Sequence, residues 1–196
     1  RQLERAGARA IQIEDQAMPK RCGHLDGKTL VSPDEMNGKI RAALDARRDE
    51  ETLIIARTDA VAVEGYERAM ERAEGCVEAG ANILFIEAVT DLNQIKSTVD
   101  RFGNRVPLLV NMVEGGKTPL MPAPELQRLG YSIVIFPGAL VRVLAHAASE
   151  LFNGLRNNGE TAAYHDKMFD LGELNRLLGT DEMLTAGQRY SQAGSQ

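Results

Sequence analysis

The chain has 196 residues, 43% of them hydrophobic and 26% charged, with a formal net charge of −5 at pH 7. That is enough apolar material for one sizeable core, while the acidic balance, 5% aromatics and lack of Trp argue against a nucleic-acid partner. Apolar runs of about five residues are too short to span a bilayer, and two distant cysteines, Cys22 and Cys76, indicate neither a disulfide framework nor a zinc site, so a reducing cytoplasm is the expected setting.

Arg1 to Gly7 reads as the last turns of a helix closed by glycine. A chain that opens mid-element is expected to belong to something longer. The first strand follows, near Ala10 to Glu14, and runs into Glu14-Asp15 and then a polar loop with Lys20, Arg21, Cys22, Gly23 and His24. Four of those five side chains handle protons or hydrogen bonds, and Gly23 lets the backbone fold sharply around them. The loop from Gln16 to Val31 is long for a βα connection and reads as a lid that would exclude water.

Ser32-Pro33-Asp34-Glu35 is a helix start: a capping serine, proline at the first helical position, and glutamate where a capping box needs it. Met36, Ile40, Ala43 and Leu44 then recur at helical spacing. The next strand begins near Leu53 and meets Arg57-Thr58-Asp59. A helix marked by Tyr66, Met70, Ala73 and Val77 ends at Gly80. Strand three begins near Ile83 and ends in Glu87; Thr90 would cap a helix through Phe102. Strand four begins near Leu108 and reaches Asn111, and Pro124 to Leu129 is a short helix. Strand five begins near Ser132, and a helix from about Ala139 to Asn157 comes next. The tail, 158–196, carries only helical patches, Asp170 to Leu178 and Thr180 to Tyr190.

Five short strands, apolar along their whole length and alternating with helices, predict parallel strands buried on both faces. Such units give a doubly wound sheet or a barrel. Two features favour the barrel. Polar residues (Glu14 and Asp15, Arg57 and Asp59, Glu87, Asn111 and Glu114) sit just past nearly every strand, where a barrel gathers them at one mouth. No G-x-G-x-x-G follows the first strand, so the usual sign of a dinucleotide fold is missing. The predicted fold is therefore α/β, a (β/α)8 TIM barrel. Residues 1–157 supply strands 4–8, residues 158–196 a helical tail, and three strand–helix units are expected before Arg1.

IEDQ (13–16), PKRCGH (19–24), ARTDA (56–60), LFIEA (84–88) and NMVEGGKTP (111–119) together resemble the isocitrate lyase and phosphoenolpyruvate mutase superfamily, in family order, over residues 1 to about 190. The resemblance is strongest to its short lyase branch, with sequences labelled carboxyvinyl-carboxyphosphonate phosphorylmutase nearby. It implies an eight-stranded barrel, a Mg²⁺ ion (or Mn²⁺) at the mouth, 2-oxo acid or enolate chemistry on a small carboxylate substrate, and a homo-oligomer, expected to be a tetramer, whose paired subunits exchange a C-terminal helix. It also implies that the main metal-binding aspartates lie upstream of Arg1.

Cleaving a carbon–carbon bond beside a hydroxyl gives a 2-oxo acid and a carbanion, tolerable only as its enediolate. Such a reaction needs a cation for the oxygens, donors for the carboxylates and an acid for carbon. By resemblance to the lyases, Cys22 is that acid; the plainer alternative is an incidental loop thiol. The phosphonate-cleaving and mutase branch typically lacks this cysteine, so Cys22 favours a lyase. Lys20 would face the developing oxyanion. His24 would bind a substrate carboxylate or support Cys22. Glu14 can hold a metal-bound water. Arg57 can fork onto a carboxylate or enediolate, pair with Asp59 or Glu87, or do both. Glu87 would orient Arg57 or His24, and Asn111 would donate to a substrate carboxylate. Catalytic candidates are thus Cys22, Lys20, His24 and Arg57; substrate-binding candidates are Gly23, His24, Arg57, Glu87 and Asn111; Glu14 is the metal-side acid. Two other readings stay open: decarboxylation of oxaloacetate or phosphonate chemistry on the same fold, and a truncated barrel without catalysis.

Overall fold

The computed structural model of the protein describes residues 1–23 and 25–192; His24 lies outside the described residues. Two units are distinguished, Arg1–Ala139 and Leu140–Gln196. The first contains α1 (Gln2–Arg5), β1 (Ala10–Glu14), α2 (Pro33–Ala46), β2 (Leu53–Thr58), α3 (Val61–Glu64), α4 (Tyr66–Glu78), β3 (Ile83–Ile86), α5 (Leu92–Phe102), β4 (Leu108–Asn111), α6 (Ala123–Leu129) and β5 (Ile133–Ile135). All five strands are parallel, in the order β1-β2-β3-β4-β5, with Glu14 beside Arg57 and Asn111 beside Ile135.

The order is the informative part. When consecutive parallel strands are neighbours and every crossover is right-handed, all connecting helices fall on one face of the sheet. Ile54, Ala56, Leu84, Ile86, Leu108 and Val110 pack with Met36 and Ile40 of α2, Met70 and Ala73 of α4, Ile95 and Phe102 of α5 and Leu126 of α6. The alternate strand residues form a separate, smaller cluster of Ile83, Phe85 and Leu109 with Ile55, Ile133 and Ile135, and no helix residue joins it. A doubly wound sheet would carry helices on both faces. This sheet is built like the wall of a barrel, with helices outside and a strand-only face inside.

The helix signals acted as their chemistry dictates. Ser32 accepts from the Glu35 amide at 3.1 Å, ahead of Pro33. One expectation needs correction: Asp91, not Thr90, caps α5. Its carboxylate accepts from the Gln94 amide at 2.9 Å, and the Gln94 side chain accepts from the Thr90 amide at 2.9 Å. A charged acceptor outbids a hydroxyl for the positive helix start. Helix α3 had no predicted counterpart, being four residues long and so too short for an apolar period to repeat.

On the helix face, beneath the strand ends, a buried polar joint ties the elements together. Asp15 is fully buried and accepts from the Thr58 hydroxyl (2.7 Å) and the Asp59 amide (2.9 Å). Arg72 of α4 reaches it at 3.6 Å, donates to the Val31 carbonyl at 2.9 Å, and grips Glu64 of α3 with two bonds of 2.7 Å. Burial holds the Asp15 carboxyl above its ordinary pKa despite those donors and pushes the Cys76 thiol up to about 12, which leaves that cysteine a core residue.

In the second unit, α7 (Ala139–Asn158) is followed by a 3₁₀ turn (Ala162–Lys167), α8 (Leu171–Leu178) and α9 (Thr180–Gln192). The Tyr164 hydroxyl donates to the Glu150 carbonyl at 2.6 Å. Asp170 and Glu173 form a capping box, and Gly179 ends α8 at φ +67°. Leu140, Val143, Phe152, Leu171, Leu177 and Met183 all remain exposed. No helix among the described residues is long and apolar enough to cross a membrane.

The Arg72–Glu64 grip makes a stability prediction. Arg72 holds Glu64 below its ordinary pKa of 4.5, so the ionised pair stabilises the fold above that value and its contribution fades as pH falls through the lowered one. Glu64→Gln is expected to lose about 1 kcal/mol at pH 7, with a difference from wild type that shrinks on acidification below about pH 4.5. Urea unfolding at pH 7 and pH 3 checks both points.

Candidate active site

Strand periodicity builds the site. Every second residue of a strand faces the same way, so Glu14, Arg57, Glu87 and Asn111 stand above Ile55, Phe85 and Leu109 on the inner face. Asp15 and Thr58, one residue out of step, face the helices instead. Of the two acids ending β1, only Glu14 therefore belongs to the mouth.

Arg57 is the centre of this layer. Its Nε and Nη2 bind the two oxygens of Asp59 at 2.8 and 3.0 Å, Nη1 meets Glu87 at 3.0 Å, and Nε lies 3.6 Å from Glu14. The guanidinium sits 5.0 Å above the Phe85 ring. Burial works against its charge, but the Asp59 hydrogen bonds and the charges of Glu87, Asp59 and Glu14 outweigh it and hold the pKa above the ordinary arginine value. Arg57 pairs with both predicted partners at once.

Glu87 is 1% exposed. It accepts from the Asn111 amide at 3.2 Å, and from the amide of Ala88 at 2.9 Å. Ala88 sits at φ +61°, a region L residues seldom adopt, and this turn aims its N–H back at the carboxylate. With its amide nitrogen on Glu87, Asn111 leaves its buried carbonyl oxygen without a partner.

The loop after β1 folds over this layer. The Ala17 amide donates to the Thr29 carbonyl and the Val31 amide to the Asp15 carbonyl, both at 2.9 Å, which pinches the loop at its base. Inside it, the Gln16 side chain clasps both backbone groups of Arg21 at 2.9 Å each. Lys20 turns back to Glu14 at 3.2 Å. Gly23 is pressed so closely on the strand ends that a Cβ there would overlap Cγ of Glu87 and stand 2.6 Å from Nη2 of Arg57. Next to it Cys22 is exposed. At the far side, Lys117 from the loop after β4 pairs with Asp26 at 2.8 Å. The Arg21 side chain points away to the Asp26 carbonyl at 3.3 Å.

Lys20, Gly23, Arg57, Glu87, Asn111 and Glu14 are thus brought together, with Cys22 beside Gly23. Sequence reasoning missed Gln16, Ala88 and Lys28, whose parts are played through backbone groups and leave no pattern in the sequence. A cavity of about 470 Å³ between α1, α2, β1 and β2, lined by Leu3, Ile11, Ala43, Arg47 and Ile54 among others, contains none of these residues.

The donor set also tests the fit of a metal. Among the described residues no group of three or more His, Cys, Asp or Glu converges as a metal site would, and both Glu14 oxygens face cations. These residues do not form a metal cage by themselves.

Residues 1–156 match the model of the family described as phosphoenolpyruvate phosphomutase. The chain belongs to that family. A 2-methylisocitrate lyase of Aeropyrum pernix is 49% identical over 179 residues, 91% of this chain and 57% of that protein. The crystal structure of 2,3-dimethylmalate lyase, described as a PEP mutase/isocitrate lyase superfamily member, superposes with a TM-score of 0.87 at 36% identity, over 96% of this chain and 62% of that one. A phosphonopyruvate hydrolase complex with oxalate and Mg²⁺ superposes with a TM-score of 0.79 at 31% identity, over 96% and 65%. The chain therefore spans a little over half the length of such phosphomutase-family relatives, and its parallel α/β sheet matches their barrels.

Asn111→Asp tests the electrostatics of the layer. It would set a second carboxylate about 3.2 Å from Glu87, and like charges so close resist joint ionisation. That repulsion exists only when both carboxyls are ionised, so the variant is expected to keep its stability at low pH and to lose it as pH rises above about 4. The expected loss at pH 7 is about 1–3 kcal/mol. Thermal melts of variant and wild type from pH 4 to pH 7 should diverge with increasing pH; parallel curves would remove Glu87 as a charged neighbour.

Proposed function

We propose that the protein is a carbon–carbon lyase acting on a small 2-hydroxy di- or tricarboxylate of the 2-methylisocitrate or 2,3-dimethylmalate type, releasing a 2-oxo acid such as pyruvate and a second carboxylate. The observation that carries this reading is the direct contact of the Cys22-Gly23 turn with the Arg57–Glu87 pair. The glycine packed on the Arg57 guanidinium is next in sequence to Cys22, whose thiol is exposed, which supports a reading in which that thiol serves the same mouth. Glu14, Lys20 and Asn111 share the layer. The names of the relatives support the same class of reaction.

In this reading a general base takes the proton of the substrate hydroxyl as the carbon–carbon bond breaks. The electron pair passes to the departing carbon, held as an enediolate, and the Cys22 thiol returns a proton to that carbon. Arg57, oriented by Glu87, steadies the developing charge with Lys20, Asn111 donates to a substrate carboxylate, and the loop shuts out water. His24, next in sequence to Gly23, is assigned to a substrate carboxylate or to Cys22. A divalent ion, Mg²⁺ or Mn²⁺, would stabilise oxygen charge, and Glu14 could hold a water on it. The sheet would be part of a closed (β/α)8 barrel, which its one-sided helices support. Residues 158–196 would form a helical tail exchanged within dimers of a tetramer, supported by the exposed apolar side chains of α8 and α9.

The test is Cys22→Ser with product analysis on 2-methylisocitrate, 2,3-dimethylmalate, oxaloacetate and phosphonopyruvate. Loss of a general acid should cost roughly 10²–10⁴ in turnover. Near wild-type cleavage by the variant would remove Cys22 as the acid. Turnover of oxaloacetate or phosphonopyruvate alone would replace the lyase reading with the decarboxylase or phosphonate one.

A further inference from the structure

The strand-end layer and the loop above it belong to different stretches of chain, and something must hold one on the other. Lys28 stands out. It is 6% exposed, although lysine is among the residues least often buried. Its ammonium donates to two backbone carbonyls, Gly23 at 2.6 Å and Leu25 at 2.5 Å. Both belong to the turn in which the Leu25 amide donates to the Cys22 carbonyl at 2.9 Å.

Each fact fixes a different atom of one turn. The amide bond closes the turn from Cys22 to Leu25. The two carbonyls, which would otherwise turn outward to water, are drawn inward around one cation. Gly23 is thereby held against Glu87 and Arg57, with room for no side chain. Backbone carbonyls are strong acceptors, and a desolvated ammonium has a large need for them. Releasing Lys28 would leave the buried Gly23 carbonyl and the buried ammonium unsatisfied. Lys117 on Asp26 pulls the outer side of the same loop, but it does so at the surface, where an ion pair is worth little.

We infer that Lys28 is the positioning residue of the loop: through the Gly23 and Leu25 carbonyls it fixes the Cys22–Leu25 turn over the Arg57–Glu87 pair. It touches neither substrate nor the reacting atoms, and its effect on turnover runs entirely through the placement of Cys22. The part concerning turnover rests on the lyase reading given above; the part concerning the turn does not.

The test compares wild type with Lys28→Met, which keeps the length and apolar stem without the donor, and Lys28→Arg, which keeps a cationic donor. Amide hydrogen exchange is followed by mass spectrometry on peptides covering residues 20–30 and, as internal control, β2 and β3. Lys28→Met should speed exchange in 20–30 at least tenfold and leave β2 and β3 unchanged. Lys28→Arg should recover most of the protection. With a cleavable substrate, Lys28→Met should lower kcat at least tenfold with KM within about threefold. Unchanged exchange in 20–30 would overturn the inference, as would faster exchange with unchanged kcat. If Lys28→Met does not fold, Lys28→Gln, a shorter neutral amide without the ammonium charge, takes its place under the same criteria. If wild type cleaves none of the substrates, the lyase reading fails, and the exchange result alone decides the role of Lys28.

Discussion

Burying the Arg57 guanidinium is the constraint on which the site depends. A cation at a strand end, over an aromatic ring and largely out of water, needs partners on several sides. Asp59 meets it in its own chain segment, Glu87 comes from β3 and Glu14 from β1. Three strands are thereby locked in height at the mouth, beyond what the backbone ladder requires. Because a planar guanidinium offers donors in fixed directions, it also fixes where each carboxylate stands. Asn111 joins from β4 only through Glu87, so the whole layer is ordered around one residue.

The other face of the same strand ends solves a different problem. Asp15 and Arg72 form a second buried polar joint, one residue out of step with the first. Its bonds go to backbone and to helices: the Asp59 amide, the Val31 carbonyl, Glu64 of α3. Val31 is where the long loop returns to α2. The outer joint thus pins the base of the loop, while the inner layer receives its tip. Two arginines one layer apart divide the work: Arg72 secures the scaffold on the helix side, and Arg57 orders the strand ends at the mouth.

This division explains what could be read from the sequence. Strand starts at Ala10, Leu53, Ile83 and Leu108 were legible because fully apolar runs and capped helices are local signals. Glu14, Arg57, Glu87 and Asn111 were legible as residues ending strands, and PKRCGH with EGGKTP identified the family. The facing of Asp15 was not legible, since a pair of acids at a strand end does not say which one turns inward. Lys28 and Gln16 were invisible for another reason. They act on backbone groups of their own loop, and nothing in the spacing of a loop with no period reports such bonds. Ala88 is the sharpest case: the sequence favours glycine at a positive φ, yet the neighbouring carboxylate holds alanine there.

Charge gives the last step. In the inner layer three carboxylates, Glu14, Asp59 and Glu87, contact two cations, Lys20 and Arg57. A substrate carrying two or three carboxylates would approach a layer whose contacting charges already lean negative, which Coulomb repulsion disfavours most strongly once water leaves. Arg57 cannot answer this alone, because its donors are already committed to Asp59 and Glu87. A divalent ion of the kind proposed above would reverse the balance; Glu14, with Lys20 and Arg57 on its oxygens, would hold at most a water on it. The loop carries a further buried cation, Lys28, behind the Gly23 turn. Under the proposed reading, a loop seated on the layer would bring that charge with it and would exclude the water that screens the layer. The contacts that hold the turn in place would then also make the mouth more tolerable to an anion.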